Sequence, residues 1–228
     1  SYVDSFNQNN KTEIDNGILE KMLPSSSEFI EKASGIQTRY VIDKAGILDP
    51  KRMMPIVKNE DESRLSIHAE VGIIAAKKAM SQAGVTADDI DAIIVGTSHA
   101  ARNYPAVAIE IQEELGIKGY GYDMLVGCSS TTFAISNAYS DIASGLANTI
   151  LVVNPEISTP FVNFTNRDKH FIFGDACVAT IVHGLTNNVV FKCFEDWDGN
   201  LWFTCIDGSI TIYNQTRKEF TKYENSDW

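Results

Sequence analysis

Between residues 63 and 83 the apolar positions Leu65, Ala69, Ile73, Ala76 and Met80 recur at spacings of three and four, and Gly84 follows. That is one face of a 3.6-residue repeat, closed by the residue that best tolerates a left-handed turn, so the spacing predicts a helix. At Ala92-Ile93-Ile94-Val95 the pattern becomes an unbroken apolar run bounded by Asp91 and Gly96. A short run without polar alternation fits a strand buried on both faces. The two signals then take turns. Pro105 opens a helix through Ile109 and Ile111 that stops at Gly116; residues 122–126 read as a strand, 131–143 as a helix ending at Gly145, and 150–153 as another strand.

Nearer the start, Ser25-Ser26-Ser27-Glu28 ahead of Phe29-Ile30 reads as a helix start, with Ser25 and Glu28 as a reciprocal capping pair and Gly35 as the stop. Phe171-Ile172-Phe173, Gly174-Asp175 and residues 178–182 read as a strand after a long loop. Alternation of this kind predicts an α/β fold with a layered sheet. After Gly184 the helix signals stop. Residues 189–194, 201–206 and 210–213 read as short strands separated by Asp198-Gly199 and Asp207-Gly208, dipeptides suited to tight hairpins. The expected organisation is a layered α/β unit at 1–185 and an antiparallel β-hairpin tail at 186–228.

The 228 residues suit one large domain or one with a small appendage. No run approaches the roughly 20 apolar residues of a membrane helix, so no membrane partner is expected. A net charge of -11 lacks the clustered basic surface that nucleic acid demands. Four cysteines (Cys128, Cys177, Cys193, Cys205) with no CxxC or paired-histidine spacing indicate neither a metal site nor a disulfide scaffold, which suits the cytoplasm. Ser1-Tyr2-Val3-Asp4 carries neither an initiator Met nor a secretory leader, so the chain reads as a fragment with more sequence upstream.

The sharpest chemical feature is Val126-Gly127-Cys128-Ser129-Ser130, a cysteine between the end of a buried strand and the start of a long helix. Free N–H groups and partial positive charge at a helix N-terminus favour a thiolate over a thiol. Strand C-terminal edges in α/β sheets also form substrate crevices, and a cysteine there can take an acyl group from a thioester. Gly127 reads as room for close approach. The plainer alternative is a small buried cysteine filling a helix–sheet gap.

Four stretches carry a family resemblance. Phe29-Ile30-Glu31-Lys32-Ala33-Ser34-Gly35-Ile36 with Arg39-Tyr40, then Asp123-Met124 with Gly127-Cys128-Ser129-Ser130, then Val152-Val153-Asn154-Pro155-Glu156 and Phe171-Ile172-Phe173-Gly174-Asp175, resemble in order and spacing the N-terminal half of β-ketoacyl-ACP synthase III. The resemblance implies a thiolase-like fold and a homodimer. It implies decarboxylative condensation of an acyl-CoA with malonyl-ACP through an acyl group on Cys128, with acyl-CoA and acyl carrier protein as partners and no bound cofactor. By charge, Arg39, Lys51 and Arg52 could each contact coenzyme A phosphates, with solvated surface charge as the plainer reading, and Arg39, the one within a motif-like stretch, is the candidate contact.

The family's catalytic His and Asn come from its C-terminal half. His68, His99, His170 and His183 lie outside the expected His-Gln-Ala-Asn context, so none is assigned that role. The Gly-rich loop that completes the family's oxyanion hole is also missing, which leaves the backbone N–H of Cys128 as donor and predicts impaired condensation by this chain alone. Gly119-Tyr120-Gly121 precedes its strand and reads as a loop, not a dinucleotide fingerprint.

Residues 195–223, with Trp197-Asp198-Gly199-Asn200-Leu201-Trp202-Phe203, resemble one repeat of a two-component regulator β-propeller, and one repeat cannot close a propeller. The join near 184–188 reads as a chimera, or else the hairpins cap the sheet. Two functional alternatives follow: a propeller-type binding or signalling fragment, and another thiolase-superfamily condensing enzyme such as a hydroxymethylglutaryl-CoA synthase or a head-to-head hydrocarbon-forming enzyme.

Overall fold

Two strands organise the structure because almost none of their side chains faces water. In a computed structural model that describes residues 13–23, 25–55, 65–165, 171–184, 190–195, 200–205, 209–214 and 216–223, they are β3 (Ala92–Thr97) and β5 (Thr149–Ile157). Ile93, Val95, Leu151 and Val153 point to one face and pack on helices α4 (Ile67–Ala83) and α5 (Val107–Leu115). Ala92, Ile94, Ile150 and Val152 point to the other and pack on Ala134 and Ala138 of α6 (Ser130–Ala143). Each large aliphatic side chain so buried contributes roughly 1.5–3 kcal/mol relative to exposure.

Strands β4 (Tyr120–Leu125) and β6 (Asp175–His183) flank this pair in the order β4-β3-β5-β6. β3 runs parallel to both β4 and β5, whereas β6 returns antiparallel along the whole of β5. The expected layered α/β sheet is therefore present. Gly84 and Gly116 end α4 and α5 in left-handed turns, as their positions predict. β6 is one continuous strand from Asp175, and Phe171-Ile172-Phe173 belongs to the loop before it.

Helix α2 (Ser27–Ser34) ends at Gly35 as expected, but its cap is Ser26 and not Ser25. Ser26 Oγ accepts the Phe29 N–H at 3.2 Å, and Glu20 accepts the Ser27 N–H at 3.2 Å. The expected Ser25–Glu28 box fails because Glu20, from the preceding helix, already supplies a carboxylate there. Pro105 likewise lies outside its helix: α5 begins at Val107, and the Tyr104–Pro105 peptide is cis. The N–H groups of Val107 and Ala108 donate to the two carboxylate oxygens of Asp123, each at 2.8 Å. Strand β4 thus caps its neighbour helix, which meets the need of first-turn donors for acceptors.

A second layer was not signalled by periodicity because its pieces are too short. β1 (Glu13–Asp15) pairs antiparallel with β2 (Thr38–Tyr40), Asp15 caps α1 (Asn16–Glu20), and Asp43 caps α3 (Lys44–Leu48). Together with α2 they enclose Ile14, Leu19, Ile30, Ile47, Phe164 and Phe171. Arg39 fastens this layer from within and is only 5% exposed. Its guanidinium donates to Ile14 O at 3.2 Å, Asn16 Oδ1 at 2.8 Å and Phe171 O at 3.2 Å. Three of its donors are taken up inside this layer and Nε is buried without a partner among the described residues, so the guanidinium is not presented at the surface and the geometry argues against the coenzyme A phosphate contact expected for Arg39.

Beyond residue 189, β7 (Val190–Glu195), β8 (Leu201–Cys205), β9 (Ile210–Asn214) and β10 (Glu219–Tyr223) form an antiparallel meander in sequence order. The Asp198-Gly199 and Asp207-Gly208 turns lie outside the described residues. Among the described residues, no helix is long and apolar enough to cross a membrane.

Replacing Arg39 by Met keeps the aliphatic stem but strands three buried acceptors. Arg39→Met is expected to lower the unfolding free energy by about 2–4 kcal/mol, read by urea denaturation. A loss below about 0.5 kcal/mol would show that the three hydrogen bonds contribute nothing net.

Candidate active site

Cys128 occupies a single tight turn, Gly127–Ser129, that links the end of β4 to the start of α6. Its side chain is exposed, as are the flanking Leu125, Val126 and Phe133. Gly127 makes the turn possible by conformation, at φ +60°; a Cβ there would meet nothing within 4 Å. The room expected at Gly127 is needed instead at Gly96, the β3 residue beneath the helix, where a Cβ would lie 2.7 Å from Ser130 O and 2.8 Å from Asn154 Nδ2. Close approach of α6 to the sheet is thus set by Gly96, and the bend by Gly127.

Three strand ends meet beside this turn. Ser130 Oγ lies 3.0 Å from Thr97 O, and Thr97 Oγ1 donates to Pro155 O at 2.7 Å. Asn154 Nδ2 donates to Gly96 O at 2.9 Å, and Glu156 Oε1 accepts the Ser98 N–H at 2.7 Å and its hydroxyl at 3.1 Å. The C-terminal ends of β3, β4 and β5 are tied into one rim, the edge where α/β sheets hold their ligands. Sequence reasoning missed Gly96, Thr97, Ser98 and Glu156. No spacing pairs residues 58 apart in sequence, although the position of each at a strand end was available as a signal.

The two described free cysteines differ sharply. Burial pushes the Cys177 thiol up to about 12, so it is unreactive at neutral pH. Cys128 instead stands in the open at the N-terminal turn of a 14-residue helix. The N-cap residue Ser129 makes no side-chain capping bond, which leaves the helix dipole's positive end free of a side-chain acceptor there.

Of the three described histidines two have side-chain partners, and the third is buried with neither ring nitrogen hydrogen-bonded among the described residues. His183 Nδ1 lies 2.7 Å from Thr149 Oγ1, His99 stacks on Phe161 at 4.1 Å, and His68 is buried in α4. Glu110, buried nearby, accepts the N–H and hydroxyl of Ser66 at 2.8 and 2.7 Å and pairs with Arg102. His170 lies outside the described residues. Among the described residues no group of three or more His, Cys, Asp or Glu side chains could hold a metal ion.

The model of the family described as 3-oxoacyl-[acyl-carrier-protein] synthase III matches residues 122–194, a stretch that begins in β4, contains the Cys128 turn and reaches into β7. A β-ketodecanoyl-[acyl-carrier-protein] synthase of Pseudomonas aeruginosa is 51% identical over 182 residues, which cover 80% of this chain and 52% of that protein. The chain is similar to β-ketoacyl-ACP synthase III. A synthase III of Granulibacter bethesdensis is 32% identical over 178 residues, 78% of this chain and 49% of its own. The crystal structure of 3-oxoacyl-[acyl-carrier-protein] synthase III from Aquifex aeolicus superposes with a TM-score of 0.65 at 25% identity, over 82% of this chain and 55% of that one. The chain thus spans about half the length of the curated relatives it matches, and the synthase-like stretch includes the Cys128 turn.

Two measurements test the site's physical description. Gly127→Ala is expected to cost about 1–2 kcal/mol in thermal unfolding, from the positive φ alone, since nothing obstructs the added methyl; a neutral substitution would show the turn relaxing. Burial first, with His99 adding and Glu110 opposing, lowers His68 from 6.5 to about 4. The unfolded chain then takes up a proton near pH 6.5 that the folded chain refuses until about pH 4, so stability present above 6.5 is lost as pH falls through that window. The loss is on the order of 3 kcal/mol, and His68→Asn should flatten this part of the stability profile. An unchanged slope contradicts a neutral, buried His68.

Proposed function

We propose that the chain is the acyl-accepting part of a β-ketoacyl-ACP synthase of the fatty acid synthesis type, with Cys128 as the nucleophile. The observation that carries this reading is the exposed Cys128 thiol on the turn between β4 and α6, at the C-terminal rim of the parallel strands. In the first step the sulfur attacks an acyl-CoA thioester, a new carbon–sulfur bond forms to Cys128 as the bond to coenzyme A sulfur breaks, and coenzyme A leaves as the thiol. The tetrahedral oxyanion is placed near the Cys128 backbone N–H and the N-terminal donors of α6. The Pseudomonas relative is named for a ketodecanoyl product; because malonyl adds two carbons, that name points to an eight-carbon acyl donor for this chain as well.

The second step, loss of carbon dioxide from malonyl-ACP and attack of the resulting carbanion on the acyl group, needs proton handling, whereas His99 is stacked on Phe161, His183 is paired with Thr149 and His68 is buried. We assign it to groups in the part of the relatives that this chain does not span. The outward face of α6 suits such a cover. Thr132, Phe133, Ile135, Ser136 and Ser140 are exposed and uncharged, a composition more usual for a packed helix than a solvated one. Acyl carrier protein as second substrate, a homodimer and a cytoplasmic setting complete the proposal. The tail at 186–228 is proposed as a separate appendage, because among the described residues the strands β7–β10 pair only with one another.

The test is intact-protein mass after incubation with octanoyl-CoA or acetyl-CoA, with Cys128→Ala as control. One acyl adduct per chain, absent in the control and larger with octanoyl-CoA, is expected. A folded sample that takes no adduct from either donor sinks the nucleophile assignment, and an adduct that survives Cys128→Ala moves it to another residue.

A further inference from the structure

We infer that Ser130 is the positioning residue that holds Cys128 on its turn, an inference that rests on Cys128 being the reacting nucleophile. Ser130 is 1% exposed, and its hydroxyl lies between the two ends of the turn. Oγ accepts the Val126 N–H at 3.0 Å, while its one hydrogen has Gly127 O at 2.8 Å and Thr97 O at 3.0 Å within reach. The residue before the turn, its first residue and the end of β3 are therefore gathered on one oxygen, with Cys128 in the loop that they close.

This is not the usual work of a serine at a helix start. A capping hydroxyl accepts from N–H groups one turn further into its own helix. Ser130 reaches backwards instead, to a donor four residues earlier, and leaves the forward N–H groups of α6 uncapped by it. The same side chain that closes the turn thus spares the dipole end that an anionic sulfur or oxyanion uses. The anchor is firm on its far side as well: Thr97 is bound through its hydroxyl to Pro155 O, and Gly96 lets the helix backbone reach the strand. Removing the hydroxyl unties the turn that carries Cys128 from β3 while leaving the apolar packing of Ala134 and Ala138 in place.

The probe is iodoacetamide at fixed neutral pH on the full chain, with Cys128 followed by peptide-mapped mass spectrometry. In Ser130→Ala with a wild-type circular dichroism spectrum, alkylation of Cys128 is expected to slow about tenfold, the scale of losing an anion's stabilisation at a helix N-terminus. A merely structural serine predicts the opposite, because loosening around an already exposed thiol leaves the rate unchanged or raises it; either result overturns the proposal. Should Ser130→Ala not fold, amide exchange in the native chain decides: the Val126 N–H is expected to be protected, and exchange at the unprotected rate overturns the clamp. Alkylation needs no acyl donor, so slowed alkylation in a chain that takes no acyl group would reject the thioester reading while supporting the role of Ser130 in setting Cys128 reactivity.

Discussion

Burial of β3 and β5 on both faces is the constraint from which the rest follows. A strand that shows apolar side chains in both directions must be covered twice, so α4 and α5 lie on one side and α6 on the other. Once α6 covers its face, its small buried residues, Ala134 and Ala138, set how near the helix comes, and the lack of a Cβ at Gly96 lets its first turn touch the strand. The position of Cys128 is a consequence. The chain leaves β4 at the sheet's C-terminal edge and must turn at once to enter α6, so whatever residue occupies that turn stands at the rim, in front of a helix N-terminus.

The polar fasteners share a second feature: Asp175 and Asp123 each accept hydrogen bonds on both carboxylate oxygens. Asp175, 2% exposed, accepts the Ile42 N–H at 2.8 Å, the Thr159 N–H at 2.8 Å and the Thr159 hydroxyl at 2.6 Å. Burial raises its pKa while those donors pull the other way. Asp123 shows the same opposition, with burial raising and the Ala108 and Val107 N–H groups lowering. Such groups trade desolvation against charge-assisted hydrogen bonds and add little net stability, yet removing either side leaves an unpaired buried group, which is expensive. Their effect is to fix which loop lies beside which strand. Asp175 joins the segment after β2 to the segment after β5, and Arg39 joins β1 to the loop ahead of β6.

This division also explains what the sequence made legible. Periodicity and apolar runs located α4, α5, α6, β3, β4 and β5, and a cysteine between a strand and a helix start was visible as an elbow, because all these signals are local. The errors are long-range. Ser25 looked like a cap because Glu20's reach to Ser27 cannot be read from spacing; Pro105 looked like a first helical residue because the Asp123 cap lies 16 residues on. Arg39 sat in a motif that suggested a ligand contact, and only the fold shows its three acceptors to be internal. Close approach was assigned to Gly127, which instead supplies the bend, while the room lies at Gly96 in β3.

The chemistry divides along the same line as the structure. Acyl transfer to sulfur asks for an exposed thiol, a helix N-terminus and a rim that admits a thioester, all of which come from one sheet and the helix that follows β4. Decarboxylative condensation asks in addition for groups that stabilise an enolate and move protons. Among the described histidines, His68 is buried with its charged form disfavoured, His99 is stacked on Phe161, and His183 is paired with Thr149. The exposed, uncharged side of α6 runs directly on from the Cys128 turn, so a second layer packed there would bring new side chains to Cys128 without disturbing any hydrogen bond that holds the rim together.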